Sequence, residues 1–62
     1  MLLKKKKLTA GQDIRFIGKG FPGFVKGQRY MVFLSYQNNL EILAKYNNTE
    51  VTVFEYLTET IN

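Results

Sequence analysis

Residues 29–54 read RYMVFLSYQNNLEILAKYNNTEVTVF, and they decide the fold because two asparagine-containing turns separate three runs of strand-forming residues. Residues 29–36 are apolar on both faces, which is typical of a central strand covered on two sides. Residues 40–46 alternate between apolar and charged side chains, and residues 50–54 place two valines on one face. Alternation of this kind predicts half-buried strands. The stretch therefore predicts three consecutive antiparallel strands.

The turns and the flanking segments extend this pattern. Asn accepts the left-handed backbone region at low cost, so residues 37–39 and 47–48 predict tight turns. Residues 13–17 alternate again and predict a first strand, while residues 54–57 predict one short 3₁₀ turn and residues 58–61 a last short strand. Short strands with close-spaced turns and no helical period indicate an all-β fold, a small barrel of four to five antiparallel strands.

The alternation also predicts which side chains form the core. The four most regular segments contribute one apolar face each, and the expected core residues are Ile14, Phe16, Tyr30, Val32, Leu34, Leu40, Ile42, Val51 and Val53.

A glycine-rich stretch, FIGKGFPGFVKG at residues 16–27, precedes the central strand. Residues 18–23 match the G-x-G-x-x-G pattern of dinucleotide-binding proteins. In those proteins the glycines stand at the start of a helix, and the N–H groups of its N-terminus bind a pyrophosphate. Here Pro22 lies inside the pattern, and a strand follows instead of a helix. The stretch therefore predicts a long loop that folds back and places Phe21 and Phe24 against the barrel.

DIRFIG at residues 13–18, followed by a glycine-containing loop and FVKGQRYMV at residues 24–32, resembles the opening of an SH3-like barrel. The resemblance covers residues 11–61 in layout and extends to small SH3-like proteins of phages and mobile elements. It implies a barrel with a short 3₁₀ turn before the final strand. The chain has no Trp and only one Pro, so it lacks the peptide-binding surface of polyproline-binding SH3 domains.

Charge divides the chain into a basic tail, residues 1–7, and a single domain, residues 8–62. Lys4, Lys5, Lys6 and Lys7 account for the whole net charge of +4, and the remaining residues are neutral in sum. The tail is expected to be a solubilising segment or an arm that contacts phosphates or an acidic partner. The chain has no Cys and no long apolar run, which predicts a cytoplasmic protein without a membrane span.

The composition argues against catalysis. The chain has no His, no Cys and a single Ser at position 35, so no nucleophile–base pair can form. The scattered Asp and Glu residues show no metal-ligand spacing. We therefore expect a protein that is not an enzyme and that has no cofactor and no metal.

The sequence is therefore best interpreted as that of a binding protein, and there are two alternative classes of partner. Nine aromatic residues are more than a core of this size needs, and surface aromatics anchor protein interfaces. The candidates for a protein partner are Phe21, Phe24, Phe33 and Tyr56. The alternative is nucleic acid, with bases stacked on aromatics and phosphates bound by Lys4, Lys5, Lys6, Lys7, Arg15, Lys19, Lys26 and Arg29. A homo-dimer or a structural homo-oligomeric subunit is a further alternative.

Overall fold

Five antiparallel strands form one sheet in the computed structural model of the protein, which describes residues 7–61. The strands are β1 (Asp13–Phe16), β2 (Tyr30–Tyr36), β3 (Glu41–Tyr46), β4 (Thr49–Phe54) and β5 (Thr58–Thr60), with a 3₁₀ turn at Glu55–Leu57. The all-β prediction and the 3₁₀ turn before the last strand are both confirmed. Nowhere in residues 7–61 is there a helix long and apolar enough to cross a membrane.

The strand order across the sheet is β4-β3-β2-β1-β5. Strands β2, β3 and β4 follow one another as hairpins, and β5 returns to pair with β1. Strand pairing does not close this sheet into a barrel, because within the described residues β4 pairs only with β3 and β5 pairs only with β1.

Both predicted asparagine turns are present. Asn47 and Asn48 have φ angles of 54° and 64°, the left-handed pair that a two-residue hairpin loop of type I′ requires. In the other turn, the Asn38 side-chain oxygen accepts hydrogen bonds from the backbone N–H groups of Leu40 and Glu41. A side chain that satisfies backbone donors in this way stabilises the turn locally, so asparagine is suited to both positions.

The core lies on one face of the sheet. Its buried residues are Ile14, Phe16, Met31, Phe33, Ile42, Ala44, Tyr46 and Val53. The prediction was correct for Ile14, Phe16, Ile42 and Val53, and Val51 packs against this cluster while partly buried.

The predicted face of β2 was wrong. Met31 lies directly opposite Ile14 of β1, so it shares the core face with that residue, whereas Val32 lies opposite Asp13 on the outer face. Consequently Tyr30 is 64% exposed, and Val32 and Leu34 are only partly buried. Neighbouring strands must present the same face to the core, and this register determines the choice where both faces of β2 are apolar.

A β-bulge at Leu34 then changes the alternation within β2. Phe33 pairs with Ala44, whereas Ser35 pairs with Leu43 and Tyr36 with Ile42, so one extra residue is inserted in β2. The bulge returns Tyr36 to the core side, where its ring lies 5.0 Å from that of Phe33. Bulges also increase the local bend of a strand, which helps a single sheet to curve around its core.

Leu40 was also wrongly placed in the core. It lies in the turn before β3 and is 60% exposed.

Candidate functional site

The loop between β1 and β2 carries two of the predicted partner-binding residues, Phe21 and Phe24. Both are half-buried and pack against the core. The Phe21 ring lies 5.0 Å from both Phe16 and Tyr46, and the Phe24 ring lies 5.6 Å from Phe16. Edge-to-face and tilted aromatic contacts at these distances are favourable beyond the area they bury. The loop therefore folds back onto the sheet as predicted, and the two phenylalanines cover one part of the core.

The buried Tyr46 hydroxyl fixes this loop in place. It accepts a hydrogen bond from the Val25 backbone N–H at 2.9 Å and lies 2.8 Å from the Gln28 carbonyl oxygen, to which it donates. One side chain from the end of β3 thus binds backbone groups on two parts of the loop.

Arg29 holds the other side of the loop. Its guanidinium donates to the carbonyl oxygens of Phe16, at 3.1 Å, and Gly18, at 2.8 Å. It also lies 5.5 Å from the centre of the Phe24 ring, within the range of a cation–π contact. Arg29 is therefore engaged in supporting the fold.

The glycines of the loop serve conformation and close packing. A Cβ atom at Gly18 would lie 2.6 Å from the Phe16 ring, and Gly23 has a φ angle of 91°, which side chains rarely adopt. No helix follows the loop within the described chain, because the next element is β2.

We expect Tyr46→Phe to destabilise the protein by about 1–3 kcal/mol, because it removes the partner of a Val25 N–H in a partly buried position. The measurement is thermal or urea unfolding. Tyr36→Phe is the matched control, since its hydroxyl also makes two hydrogen bonds but at an exposed position. Equal losses in the two variants would contradict the structural role assigned to Tyr46.

Phe33, the third predicted partner-binding residue, lies in the core and is 2% exposed. It shares the core face of β2 with Met31, while Val32 lies on the opposite face. The folded chain therefore does not present Phe33 to a partner.

Tyr56, the fourth candidate, is 62% exposed and lies in the 3₁₀ turn. Its ring stacks on that of Phe54, with centroids 5.2 Å apart and planes 23° from parallel. We call Phe54 and Tyr56 the aromatic edge. Sequence reasoning missed Phe54, although alternation with the inward Val53 was the signal that it faces outward.

Two glutamates are neighbours of the aromatic edge, one in strand register and one in sequence. Glu41 lies directly opposite Phe54 on β3, and Glu55 lies between the two aromatic residues in sequence. Glu55 accepts a hydrogen bond from the Tyr36 hydroxyl at 3.2 Å. Across residues 7–61 the sole ion pair joins Arg15 to Glu59, so neither of the two carboxylates has a cation there. Glu41, which also accepts a hydrogen bond from the Asn38 side-chain amide, is therefore the carboxylate next to Phe54, whereas Glu55 is turned to Tyr36.

The basic residues predicted to bind nucleic acid are not gathered into one patch of free cations. Arg15 forms an ion pair of 2.6 Å with Glu59, and Arg29 binds loop carbonyls. Lys19 and Lys26 are exposed in the loop. Lys7 lies 5.8 Å from the centre of the Tyr36 ring. Lys4, Lys5 and Lys6 lie outside the described residues, as does most of the predicted tail.

A shallow surface depression of about 370 Å³ lies beside β2 and β3, on the outer side. Its charged lining residues are Asp13 and Lys45. No group of three or more potential metal ligands occurs among residues 7–61.

A scan of protein-family models, a search of curated proteins and a search of solved structures each found no match to this chain.

Proposed function

We propose that this protein is a non-catalytic binding module that engages a protein partner through the aromatic edge. The observation that supports the proposal is the exposed stack of Phe54 and Tyr56. The two rings are 38% and 62% exposed, although they contact each other.

Aromatic side chains of this kind supply binding energy at low entropic cost. Interface hot spots are enriched in Tyr and Trp, and a few such residues provide most of the affinity. Phe54 sits on a strand and Tyr56 in the following 3₁₀ turn, so the backbone restrains both. A restrained pair loses less freedom on binding than mobile loop side chains do, which favours affinity.

The flanking charges indicate the chemistry of the partner. Glu41 lies opposite Phe54, and Glu55 lies between Phe54 and Tyr56 in sequence, with its carboxylate bonded to Tyr36. Complementary charge steers association and selects among partners. We propose that the partner segment combines aliphatic or aromatic side chains with flanking Lys or Arg.

The protein-partner proposal is preferred to nucleic acid because the aromatic edge is bordered by carboxylates. Binding to nucleic acid derives much of its affinity from cations that neutralise phosphates. Of the described candidate cations, the two arginines are bound to Glu59 and to loop carbonyls, and the exposed Lys19 and Lys26 lie in the loop between β1 and β2. Acidic residues beside stacking aromatics would repel a phosphate backbone.

The test uses Tyr56→Ala with Tyr30→Ala as its control. Both tyrosines are exposed to a similar degree, 62% and 64%, but Tyr30 lies at the start of β2, away from the aromatic edge. The probes are two synthetic peptides of equal length, one alternating Leu with Lys and one alternating Leu with Glu. Titration is followed by NMR chemical shifts or calorimetry.

We expect the Leu–Lys peptide to bind, the Leu–Glu peptide to bind more weakly, and Tyr56→Ala to weaken binding by about tenfold or more. Tyr30→Ala should leave the affinity unchanged. Equal loss in both tyrosine variants, or equal affinity for both peptides, would contradict the proposal.

A further inference from the structure

Strand β4 leaves one side of its backbone without a strand partner. It pairs with β3, and within the described chain no strand lies on its other side. Its sequence is TEVTVF, in which four residues are β-branched and Glu50 is the single charge. Natural edge strands are usually protected by Lys, Pro, a bulge or short length. Strand β4 is six residues long, contains neither Lys nor Pro, and pairs with β3 in continuous register.

The register identifies the backbone groups that point away from β3. The Glu55 N–H donates to the Leu40 carbonyl, and hydrogen-bonded pairs alternate along an antiparallel ladder. The pairs Ile42–Val53 and Ala44–Val51 are therefore hydrogen-bonded. It follows that the N–H groups of Glu50, Thr52 and Phe54 and the C=O groups of Glu50 and Thr52 point outward, while the Phe54 C=O accepts the first hydrogen bond of the 3₁₀ turn.

From this geometry we infer that two copies of the chain pair through β4 in an antiparallel arrangement. A two-fold axis at Thr52 places Thr52 opposite the partner's Thr52, and Glu50 opposite the partner's Phe54. The Thr52 groups of the two copies pair with each other, and each Phe54 N–H pairs with the partner's Glu50 C=O, giving about four backbone hydrogen bonds between the copies. The result is a continuous sheet of strands from both copies.

The side chains are self-complementary in the same register. On the core side, Val51 faces the partner's Val53, so two β-branched apolar side chains meet across the seam. On the outer side, threonine meets threonine. Glu50 is not opposite another carboxylate, and its own cross-strand neighbour on β3 is Lys45. No pair of like charges opposes this association.

Phe54 belongs to both the aromatic edge and the seam, but the test of this inference changes Thr52, which is not part of the aromatic edge. The full chain is examined by analytical ultracentrifugation from micromolar to millimolar concentration. Thr52 is exposed, so Thr52→Lys and Thr52→Glu should both fold, which far-ultraviolet circular dichroism and thermal melting verify.

We expect the unchanged protein to show a concentration-dependent dimer. Each variant alone places like charges on the two-fold axis and should raise the dimer dissociation constant by about fivefold or more. An equimolar mixture of the two variants should restore dimers, since opposite charges then meet. Thr60→Lys, on the edge strand β5, is the matched control and should dimerise as the unchanged protein does.

A protein that stays monomeric at millimolar concentration would overturn the inference. An unchanged dimer dissociation constant in both Thr52 variants would also overturn it. So would the absence of dimers in the equimolar mixture of the two variants.

Discussion

Phe16→Ala is expected to remove a large part of the protein's free energy of unfolding. Phe16 is fully buried, and the rings of Phe21 and Phe24 pack against it. Truncating a buried phenylalanine costs about 3–5 kcal/mol, because burial is lost and a cavity remains. The whole domain of 62 residues has a stability of roughly 3–9 kcal/mol on a per-residue basis. The substitution therefore removes between about a third and all of the free energy of unfolding.

The measurement is urea unfolding, followed by circular dichroism and tyrosine fluorescence. Phe54→Ala is the matched control, since Phe54 is 38% exposed and lies outside the core. We expect the control to cost less than about 1.5 kcal/mol. If the two phenylalanine variants lost the same free energy of unfolding, the assignment of the core face would be wrong.

Ile42→Ala is expected to destabilise the protein by about 2–5 kcal/mol. Ile42 is fully buried on β3, where it pairs with Val53 on one side and with Tyr36 on the other. Its position near the middle of the sheet leaves few ways for neighbours to fill the space. The cavity should therefore remain largely open, which places the cost in the upper part of that range.

Ile17→Ala provides the comparison within the same residue type. Ile17 is 46% exposed, and its backbone N–H, which the substitution retains, donates to the Leu57 carbonyl. We expect a loss below about 1 kcal/mol, measured as the shift of the urea midpoint. A loss at Ile17 as large as that at Ile42 would contradict the burial on which the prediction depends.

The sequence was sufficient to predict the strands and turns because they depend on local chemistry. The alternation around Ile14 and Phe16 determined the inward face of β1, and that around Val53 determined the inward face of β4. The asparagine pair at 47–48 specified a hairpin turn through its tolerance of positive φ. Each of these features is contained within a few residues, so no knowledge of distant contacts was required.

The inward face of β2 could not be predicted in the same way. Both of its faces are apolar, so hydrophobicity alone does not distinguish Met31 from Val32. The choice depends on register with β1, a contact between segments distant in sequence. The bulge at Leu34 adds a second change of face, and no Gly or Pro in β2 signals its position.

The candidate site was predicted in part. Tyr56 is exposed as expected, but the partner of its stack, Phe54, was not singled out. Phe21 and Phe24 were expected both to fold against the domain and to anchor a partner, and the structure shows them packed with Phe16 and Tyr46. Their packing depends on the Tyr46 hydroxyl and the Arg29 guanidinium, whose long-range hydrogen bonds have no local signature in the sequence.

The pairing of β1 with β5 has a consequence for the order of folding. Arg15 and Glu59 are 44 residues apart in sequence, whereas β2, β3 and β4 are joined by short turns. Loop-closure entropy makes distant pairings slower to form than adjacent hairpins. We therefore expect the β2–β3–β4 hairpins to form early and β5 to dock last. In the native state, the three-residue strand β5 should open before the hairpins do, and its amide protons should exchange with solvent fastest among the strands.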